Sequence, residues 1–566
     1  MSKLAALQGA SSLSDLARLM GYSPADVSFI LFKIPDPVKY RTFQIPKKAG
    51  GFRTIMAPEP RLAMLQKRLA EYLYHCISEL QKLEPSYLKA SHGFQRKRTI
   101  VTNAAIHVKK RYVFNIDLDD FFGSINFGRV RGFFVADKNY NLHRRVATVI
   151  AQIACHNNVL PQGSPCSPVI SNLIGNLLDV RLLHLASIKK CRYSRYADDL
   201  TFSTNTGSFP ASIALEKSGK WVVGTRLGKE ISRAAFSINL SKVRMAQGNS
   251  QQLVTGLVVN KKVNISQRYY RNVRAMCNSL FQTGQYTYTD HAGEVSTVVL
   301  HKLEGMLSHI HSVKARTDRS HSLNRSLEKK GEFLRPPAPI ELYWKYIFFK
   351  NFAAPVMPTI YTEGKSDIVY LKCAIKSLCA KYPSLAGLNA GKGLPLSFFK
   401  LAPKKSYISK LGEGTSGQVS LIRIYRSMLK EYKYKPRLYP VVIVCDNDDG
   451  LSEITKVVKK EFGIILNVTT SQVFYHITDN LYVVKTPENL KGGVKSCIED
   501  LFPPKVLATK IGGKPFDRNK QHQDHTSYGK QVFADKVVLP NCGHIDFTGF
   551  EDLLSRIEGC FNHYVP

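Results

Sequence analysis

Two adjacent aspartates, Asp198 and Asp199, stand where an apolar stretch turns back on itself. The run Tyr193-Ser194-Arg195-Tyr196-Ala197-Asp198-Asp199-Leu200-Thr201-Phe202 reads as a hairpin with the acid pair at its tip. Upstream, Val113, Phe114 and Ile116 lead into Asp117, Leu118, Asp119 and Asp120, a short buried strand ending in carboxylates. Buried neighbouring carboxylates repel one another unless cations neutralise them. Strand ends of this kind suit a hard cation such as magnesium, which prefers oxygen ligands. The economical explanation of both groups together is a two-metal site for in-line phosphoryl transfer, with ions about 3.5–4 Å apart.

Charge points the same way. The 566-residue chain carries 80 Lys+Arg against 43 Asp+Glu, net +37, and a surplus of that size implies a polyanionic partner, usually nucleic acid. Residues 1–350 hold net +28 and residues 351–566 only +9. The length suggests about three or four folded units. No unbroken apolar run reaches the ~18–20 residues of a membrane span, so no membrane partner is expected. The 11 cysteines are scattered, with no Cys-x-x-Cys pair, which argues against a disulfide framework or zinc site and for a reducing cytoplasm.

Along the chain, residues 1–40 read as short helices, 41–57 as a glycine-turn hairpin and 60–83 as a helix. From 111 to 260 strands and helices alternate, and 265–315 looks helical and basic. Residues 316–340 end in Pro336-Pro337-Ala338-Pro339 and read as a linker. A fresh strand signal starts at Pro358, which places the main boundary near 340–357.

Tyr196-Ala197-Asp198-Asp199 resembles the signature of reverse transcriptases, and Leu160-Pro161-Gln162-Gly163-Ser164-Pro165 resembles their template- and nucleotide-positioning motif. The resemblance implies an α+β right-hand polymerase of fingers, palm and helical thumb. Asp117, Asp198 and Asp199 would be catalytic metal ligands, with Leu118 in the same metal site and Mg2+ as cofactor. Phe122 would be the aromatic gate that excludes a ribose 2′-hydroxyl. Lys47, Lys48 and Arg53 would meet the incoming dNTP from the fingers hairpin. Gln162, Gly163 and Lys242 would complete the nucleotide and template pocket.

Asn103-Ala104-Ala105-Ile106-His107 and Val254-Thr255-Gly256 resemble two markers of bacterial retron reverse transcriptases. That subfamily recognises a structured noncoding RNA encoded beside it. It is primed by a guanosine 2′-hydroxyl within that RNA and yields 2′,5′-branched RNA–DNA (msDNA). Asn103, His107, Val254, Thr255 and Gly256 are therefore expected to bind RNA. So are Arg268, Arg271 and Arg274, where cations alternate with Tyr269 and Tyr270 as a surface for phosphates and unstacked bases requires. An intron-type enzyme is disfavoured by these markers and by the missing maturase and endonuclease motifs.

A second acidic constellation follows the linker. Thr359-Ile360-Tyr361-Thr362-Glu363-Gly364-Lys365-Ser366-Asp367 reads as strand, tight turn and helix start. The buried run Val441 to Cys445 ends in Asp446-Asn447-Asp448-Asp449-Gly450. Glu363, Asp446 and Asp448 could share one cation at neighbouring strand ends. The pattern resembles the TOPRIM fold of topoisomerases, primases and OLD-family nucleases, with Gly412 to Gly417 between its halves. Glu499 or Asp500 could add a ligand, and Lys530 a phosphate contact. The chain has little room for a topoisomerase gate, and a primase is redundant beside a self-primed polymerase, so a nuclease is the expected member.

The expected layout is thus an N-terminal helical segment (1–40), fingers and palm (41–260), thumb and linker (261–340), and an α/β Rossmann-like TOPRIM effector (341–566). The expected function is a reverse transcriptase that keeps its msDNA, fused to a Mg2+- or Mn2+-dependent nuclease acting in antiphage defence. The alternative is a catalytically inert TOPRIM module that only binds nucleic acid. Partners are the cognate RNA, dNTPs and the nuclease's nucleic-acid target. A homo-oligomer is one way a tethered effector could be held inactive.

Overall fold

The computed structural model describes residues 2–47, 50–289, 295–297, 300–317, 337–387, 393–400, 408, 411, 414–466, 473–488, 495–519 and 526–566. The linker expected at 316–340 falls largely outside them, as do Lys48, Gly412 and Glu413. The chain forms two units. The first is the chain to Tyr270 with short returns beginning at Thr289 and Ser312. The second is Arg271–Tyr288, Ser296–His311 and Ser326–Pro566.

The first unit is built on a five-stranded sheet. Its order is Arg192–Tyr196, Asp199–Thr204, Tyr112–Asp119, Ser237–Ile238, and Arg244–Gln247 also pairs with Tyr112–Asp119. Val113, Phe114 and Ile116 are buried here, as the apolar run before Asp117 requires. The glycine-turn hairpin forms as Tyr40–Pro46 paired with Phe52–Pro58, register Phe43 to Ile55. Pro60–Leu83 is one amphipathic helix burying Leu62, Leu65, Leu69 and Leu73. Pro60 sits in its first turn, where the missing N–H costs nothing.

The helix Ser167–Ile188 has the length and hydropathy to cross a bilayer, although the sequence shows no unbroken apolar run of that length. Most of it is buried within the first unit, where Val169, Ile170, Leu173, Leu178 and Leu182 enter the core.

The second unit holds a five-stranded sheet in the order Ser397–Phe398, Thr359–Thr362, Val441–Cys445, Leu481–Lys485, Tyr475–Thr478. All neighbours are parallel except the last pair. Val441–Cys445 is buried at every position, the pattern of a parallel strand covered on both faces.

The helices Gln267–Thr283 and Leu300–Thr317 have most of their length in this second unit. Phe281 packs its ring on Phe349 at 5.6 Å and Tyr432 at 5.2 Å. Its carbonyl accepts from the N–H groups of Lys433 and Tyr434, both at 3.1 Å. Gly284 takes φ +75° beneath the Tyr434 ring, where a Cβ would stand 2.4 Å from a ring carbon, so only glycine fits. On the second helix, Glu304 pairs with Lys350 at 2.6 Å.

Candidate active sites

The first site forms where two strands present carboxylates face to face. Asp117 pairs with Asp199 in the register of Tyr112–Asp119 against Asp199–Thr204. Asp198 completes the group in the turn. The Leu118 N–H donates to its carbonyl at 3.0 Å, and the Asn239 N–H donates to the Asp117 carbonyl at 2.8 Å. Burial, then the neighbouring Asp117, raises the Asp198 carboxyl to about 6. Burial, Asp198 and Asp117 raise Asp199 to about 7.

The Lys242 ammonium donates to Asp117 Oδ2, and that bond holds it above the usual lysine range. Asp117 Oδ1 is buried without a donor. Among the described residues no three acidic, His or Cys side chains are drawn into a closed metal cage. The donor set nevertheless fits a divalent ion: three carboxylates, one orphaned oxygen, and two of the carboxyls with their affinity for protons raised by burial and then by their acidic neighbours. Asp117, Asp198 and Asp199 would hold such an ion, which would supply positive charge at a reacting phosphate.

A cavity of about 730 Å³ opens beside these carboxylates. It is lined by Lys47 and Arg53 of the hairpin, by Phe122, by Gln162, and by Asp198 and Lys242. The Met56 N–H donates to the Gln162 carbonyl at 2.8 Å, tying the motif loop to the hairpin. Gly163 follows with φ +124°, and a Cβ there would stand 2.7 Å from the Met56 carbonyl. Leu118 is buried, with its strand end at the cavity wall.

The turn that carries Asp198 is held from beneath by a fully buried ion pair. Arg195 donates from Nε to Asp179 Oδ1 and from Nη2 to Asp179 Oδ2, both at 2.8 Å, and from Nη1 to the Ala197 carbonyl at 3.0 Å. Tyr193 donates to Asp179 Oδ1 at 2.8 Å. Gly175 makes room, since a Cβ there would stand 2.8 Å from the guanidinium. Removing one partner of a buried pair strands the other and costs roughly 3–5 kcal/mol. Arg195→Met should therefore lower the melting temperature strongly and release the Ala197 turn. Asp179→Asn strands the buried guanidinium in turn and should lower the melting temperature as well. Thermal unfolding of the two variants checks this, and equal melting to the parent would refute the anchoring role.

In the second unit, Glu363 follows the strand Thr359–Thr362 and Asp446 follows the adjacent parallel strand Val441–Cys445. Both line one cavity with Asp367 and Lys530. The Gly364 N–H donates to Asp367 Oδ2 at 2.7 Å, and the Ile498 N–H donates to Asp446 Oδ1 at 2.9 Å. Burial, reinforced by Asp367 and Glu499, pushes the Asp446 carboxyl well up. Burial also raises Glu363.

Glu499 is fully buried and accepts from Lys530 Nζ at 3.1 Å. Burial alone would lower Lys530, but Glu499 and Asp446 more than offset it and hold the ammonium above its usual range. Asp500 turns away, accepting from the Cys497 N–H at 3.0 Å and pairing with Arg518 at 3.1 Å. Asp448 is exposed at the next turn, where its Oδ1 accepts from the Gly450 N–H at 2.8 Å. The structure therefore gathers Glu363, Asp367, Asp446, Glu499 and Lys530, and leaves Asp448 at the rim.

Residues 45–259 match the reverse transcriptase (RNA-dependent DNA polymerase) family. The chain is 31% identical over 314 residues to the retron Ec86 reverse transcriptase of Escherichia coli, covering 55% of this chain and 87% of that protein. It is 35% identical over 252 residues to the retron Mx65 reverse transcriptase of Myxococcus xanthus, covering 42% and 55%. The chain belongs to the retron reverse transcriptase family. It is an RNA-directed DNA polymerase with a right-hand fold, copying RNA with dNTPs at a Mg2+ site. The structure of telomerase from Candida albicans in complex with a fragment of telomeric RNA is also similar, at TM-score 0.30 and 10% identity, covering 56% of this chain and 65% of that one.

Several residues of this reverse transcriptase lie elsewhere than expected. Asn103 and His107 are buried, not on an RNA-facing surface. His107 meets Ser203 Oγ at 2.7 Å and Ser194 Oγ at 2.8 Å, and Ser194 donates to Asn103 Oδ1 at 2.7 Å. Burial depresses the imidazole to about 3, so it is neutral and ties the helix Ile100–Ala105 to the strands of the catalytic hairpin. Direct RNA contact is excluded for both in this arrangement.

Val254 is buried too. Thr255 and Gly256 form the turn between Leu253–Val254 and Leu257–Val258 with φ +46° and +80°. Thr255 Oγ1 donates to the Ile100 carbonyl at 3.3 Å. The two marker strings are thus neighbours in the fold. Arg268, Arg271 and Arg274 are exposed at helical spacing along Gln267–Thr283, open to a phosphate backbone.

Sequence reasoning missed Arg195, Asp179 and Asn172. The available signal was an Arg between Ser194 and Tyr196 in the strand that leads to the acid pair, and a lone Asp within the apolar helix Ser167–Ile188. Each needs a buried partner, and each is the other's.

Proposed function

We propose that this cytoplasmic reverse transcriptase makes 2′,5′-branched RNA–DNA from a cognate noncoding RNA. We further propose that its second unit is a TOPRIM nuclease, dependent on Mg2+ or Mn2+, that acts as an antiphage effector. The polymerase half of this reading is supported by the retron relatives. The effector half rests on one observation: Glu363 and Asp446 end adjacent parallel strands and share a cavity with Asp367 and Lys530. That is the position where open α/β sheets hold their ligands.

Glu363, Asp446 and Glu499 would hold the ion there, with Lys530 keeping charge balance around them. A divalent ion bound to those carboxylates supplies the charge that polarises a phosphodiester and activates water. Purified full-length protein should carry a nucleic acid whose RNA–DNA junction resists nucleases specific for 3′,5′ linkages. Linear host RNA alone would refute the retron product. Metal-dependent cleavage by the same protein should fall by roughly 10³-fold in Asp446→Ala, equivalent to about 4 kcal/mol of lost transition-state stabilisation. Asp198→Asn should leave cleavage intact. Equal cleavage by Asp446→Ala, or none by the parent, would instead support a nucleic-acid-binding module without catalysis.

A further inference from the structure

The loop Ala90 to Phe94 runs directly under the catalytic turn. The Arg195 N–H donates to the Ala90 carbonyl at 2.8 Å, and the His92 N–H donates to the Arg195 carbonyl at 2.7 Å. Ser91 Oγ donates to Asn172 Oδ1 at 2.8 Å, and Asn172 Nδ2 donates to the Gly93 carbonyl at 2.7 Å. Gly93 passes so close that a Cβ would stand 2.5 Å from the Ala197 nitrogen. Every partner in this stitching is buried or belongs to the turn itself.

The loop delivers Phe94 into the nucleotide cavity. Phe94 takes φ +56°, a conformation a bulky residue adopts only where its surroundings enforce it. Its carbonyl accepts from the Tyr74 hydroxyl at 2.9 Å, which fixes the backbone. Yet the side chain is 38% exposed, so core packing does not account for an aromatic here. Its ring stands 6.2 Å from that of Phe122, tilted by 55°, while Phe121 meets Phe122 edge-on at 5.5 Å. Phe94 and Phe122 line the same cavity as Asp198, Lys47 and Gln162.

We propose that Phe94 is a specificity-determining residue, the second wall of the sugar pocket, which wedges the Phe122 ring against Phe121 and so sets how closely that ring approaches the sugar of the incoming nucleotide. Without this wedge the Phe122 ring gains rotamer freedom, the pocket floor widens, and a ribose 2′-hydroxyl is tolerated. The inference rests on Phe122 acting as the sugar gate, and the test separates the two.

The full-length protein is given a primed RNA template and one deoxyribo- or ribonucleotide, and the kcat/KM ratio is measured. Phe122→Ala should lower the preference for deoxyribonucleotide by about 100-fold, within what one steric contact supplies. Phe94→Asn removes the ring while keeping a residue that tolerates positive φ, and should lower the ratio by about 10-fold through faster ribonucleotide use. Phe94→Tyr should stay within about 3-fold of the parent. An unchanged ratio in Phe94→Asn while Phe122→Ala responds would overturn the role of Phe94, as would loss of both activities in Phe94→Asn, which would mark a purely structural residue. An unchanged ratio in Phe122→Ala would overturn the gate reading instead.

Discussion

Asp198→Asn is expected to lower DNA synthesis by at least about 10³-fold, the equivalent of roughly 4 kcal/mol of transition-state charge stabilisation. Nucleic acid already bound should be retained. Asparagine preserves the turn, because the Leu118 bond goes to the backbone carbonyl of residue 198 and not to its side chain. What would be lost is one of the three carboxylates that would hold the divalent ion. Single-nucleotide extension by purified variant and parent measures the loss, and activity within tenfold of the parent would remove Asp198 from the catalytic set.

The same change should stabilise the protein in metal-free buffer. Asp198 and Asp199 have folded pKa values of about 6 and about 7, above the ordinary ~3.9 of an unfolded aspartate. The folded state therefore binds more protons than the unfolded state, and stability falls as pH rises from about 4 through about 7. Asp199 opens toward solvent, which softens the effect. Asp198→Asn should melt above the parent at pH 8 and level with it near pH 4. The reverse order at pH 8 would show that the carboxylates do not strain the fold.

A chain ending at Pro337 is expected to lose polymerase activity altogether, even though residues 45–259 carry the family match and every polymerase carboxylate remains. The helix Gln267–Thr283 buries Val273, Cys277, Leu280 and Phe281. Phe281 packs on Phe349 and Tyr432, and Lys350 neutralises Glu304. Truncation would expose this face and leave the basic residues Arg271 and Arg274 on an unsupported helix. Losing one large aromatic contact alone costs about 3–5 kcal/mol, comparable with the whole stability of a small domain. Phe281→Ala in the intact chain should reproduce part of the defect. A soluble, active truncated protein would refute the dependence.

Sequence and structure agree where chemistry is written locally. The hairpin Tyr40–Pro58, the helix Pro60–Leu83, the buried strand before Asp446 and the acid pair at a hairpin tip are all set by periodicity, turn residues and flanking apolar runs. The marker residues show the limit of that reading. Asn103 and His107 belong to a string that resembles a retron marker, and that resemblance offers them to RNA. The fold buries them against Ser194 and Ser203, more than eighty positions away. Asp448 is as acidic as Asp446, but the chain leaves its extended path at the turn beginning there, which holds Asp448 exposed outside the cavity that Asp446 lines. Glu499 and Asp500 divide in the same way, one buried beside Lys530 and the other held by Arg518.

A common arrangement emerges at the two acid clusters. In each, a lysine ammonium already rests on a carboxylate: Lys242 on Asp117 and Lys530 on Glu499. Neither pair is close in sequence, and neither could be matched without the fold.

The sequence by itself determined the chemistry: which carboxylates close apolar strands, which glycines let the backbone approach a ligand, and that most positive charge lies in the first 350 residues. Those features depend on neighbours a few positions away. Only the tertiary structure decided how the hairpin tip is anchored, which acids face a common cavity, and that the helix bearing Arg271 and Arg274 shares its core with Phe349 and Tyr432. Long-range packing settles such questions, because whether a polar side chain is a ligand or a strut depends on what the rest of the chain brings against it.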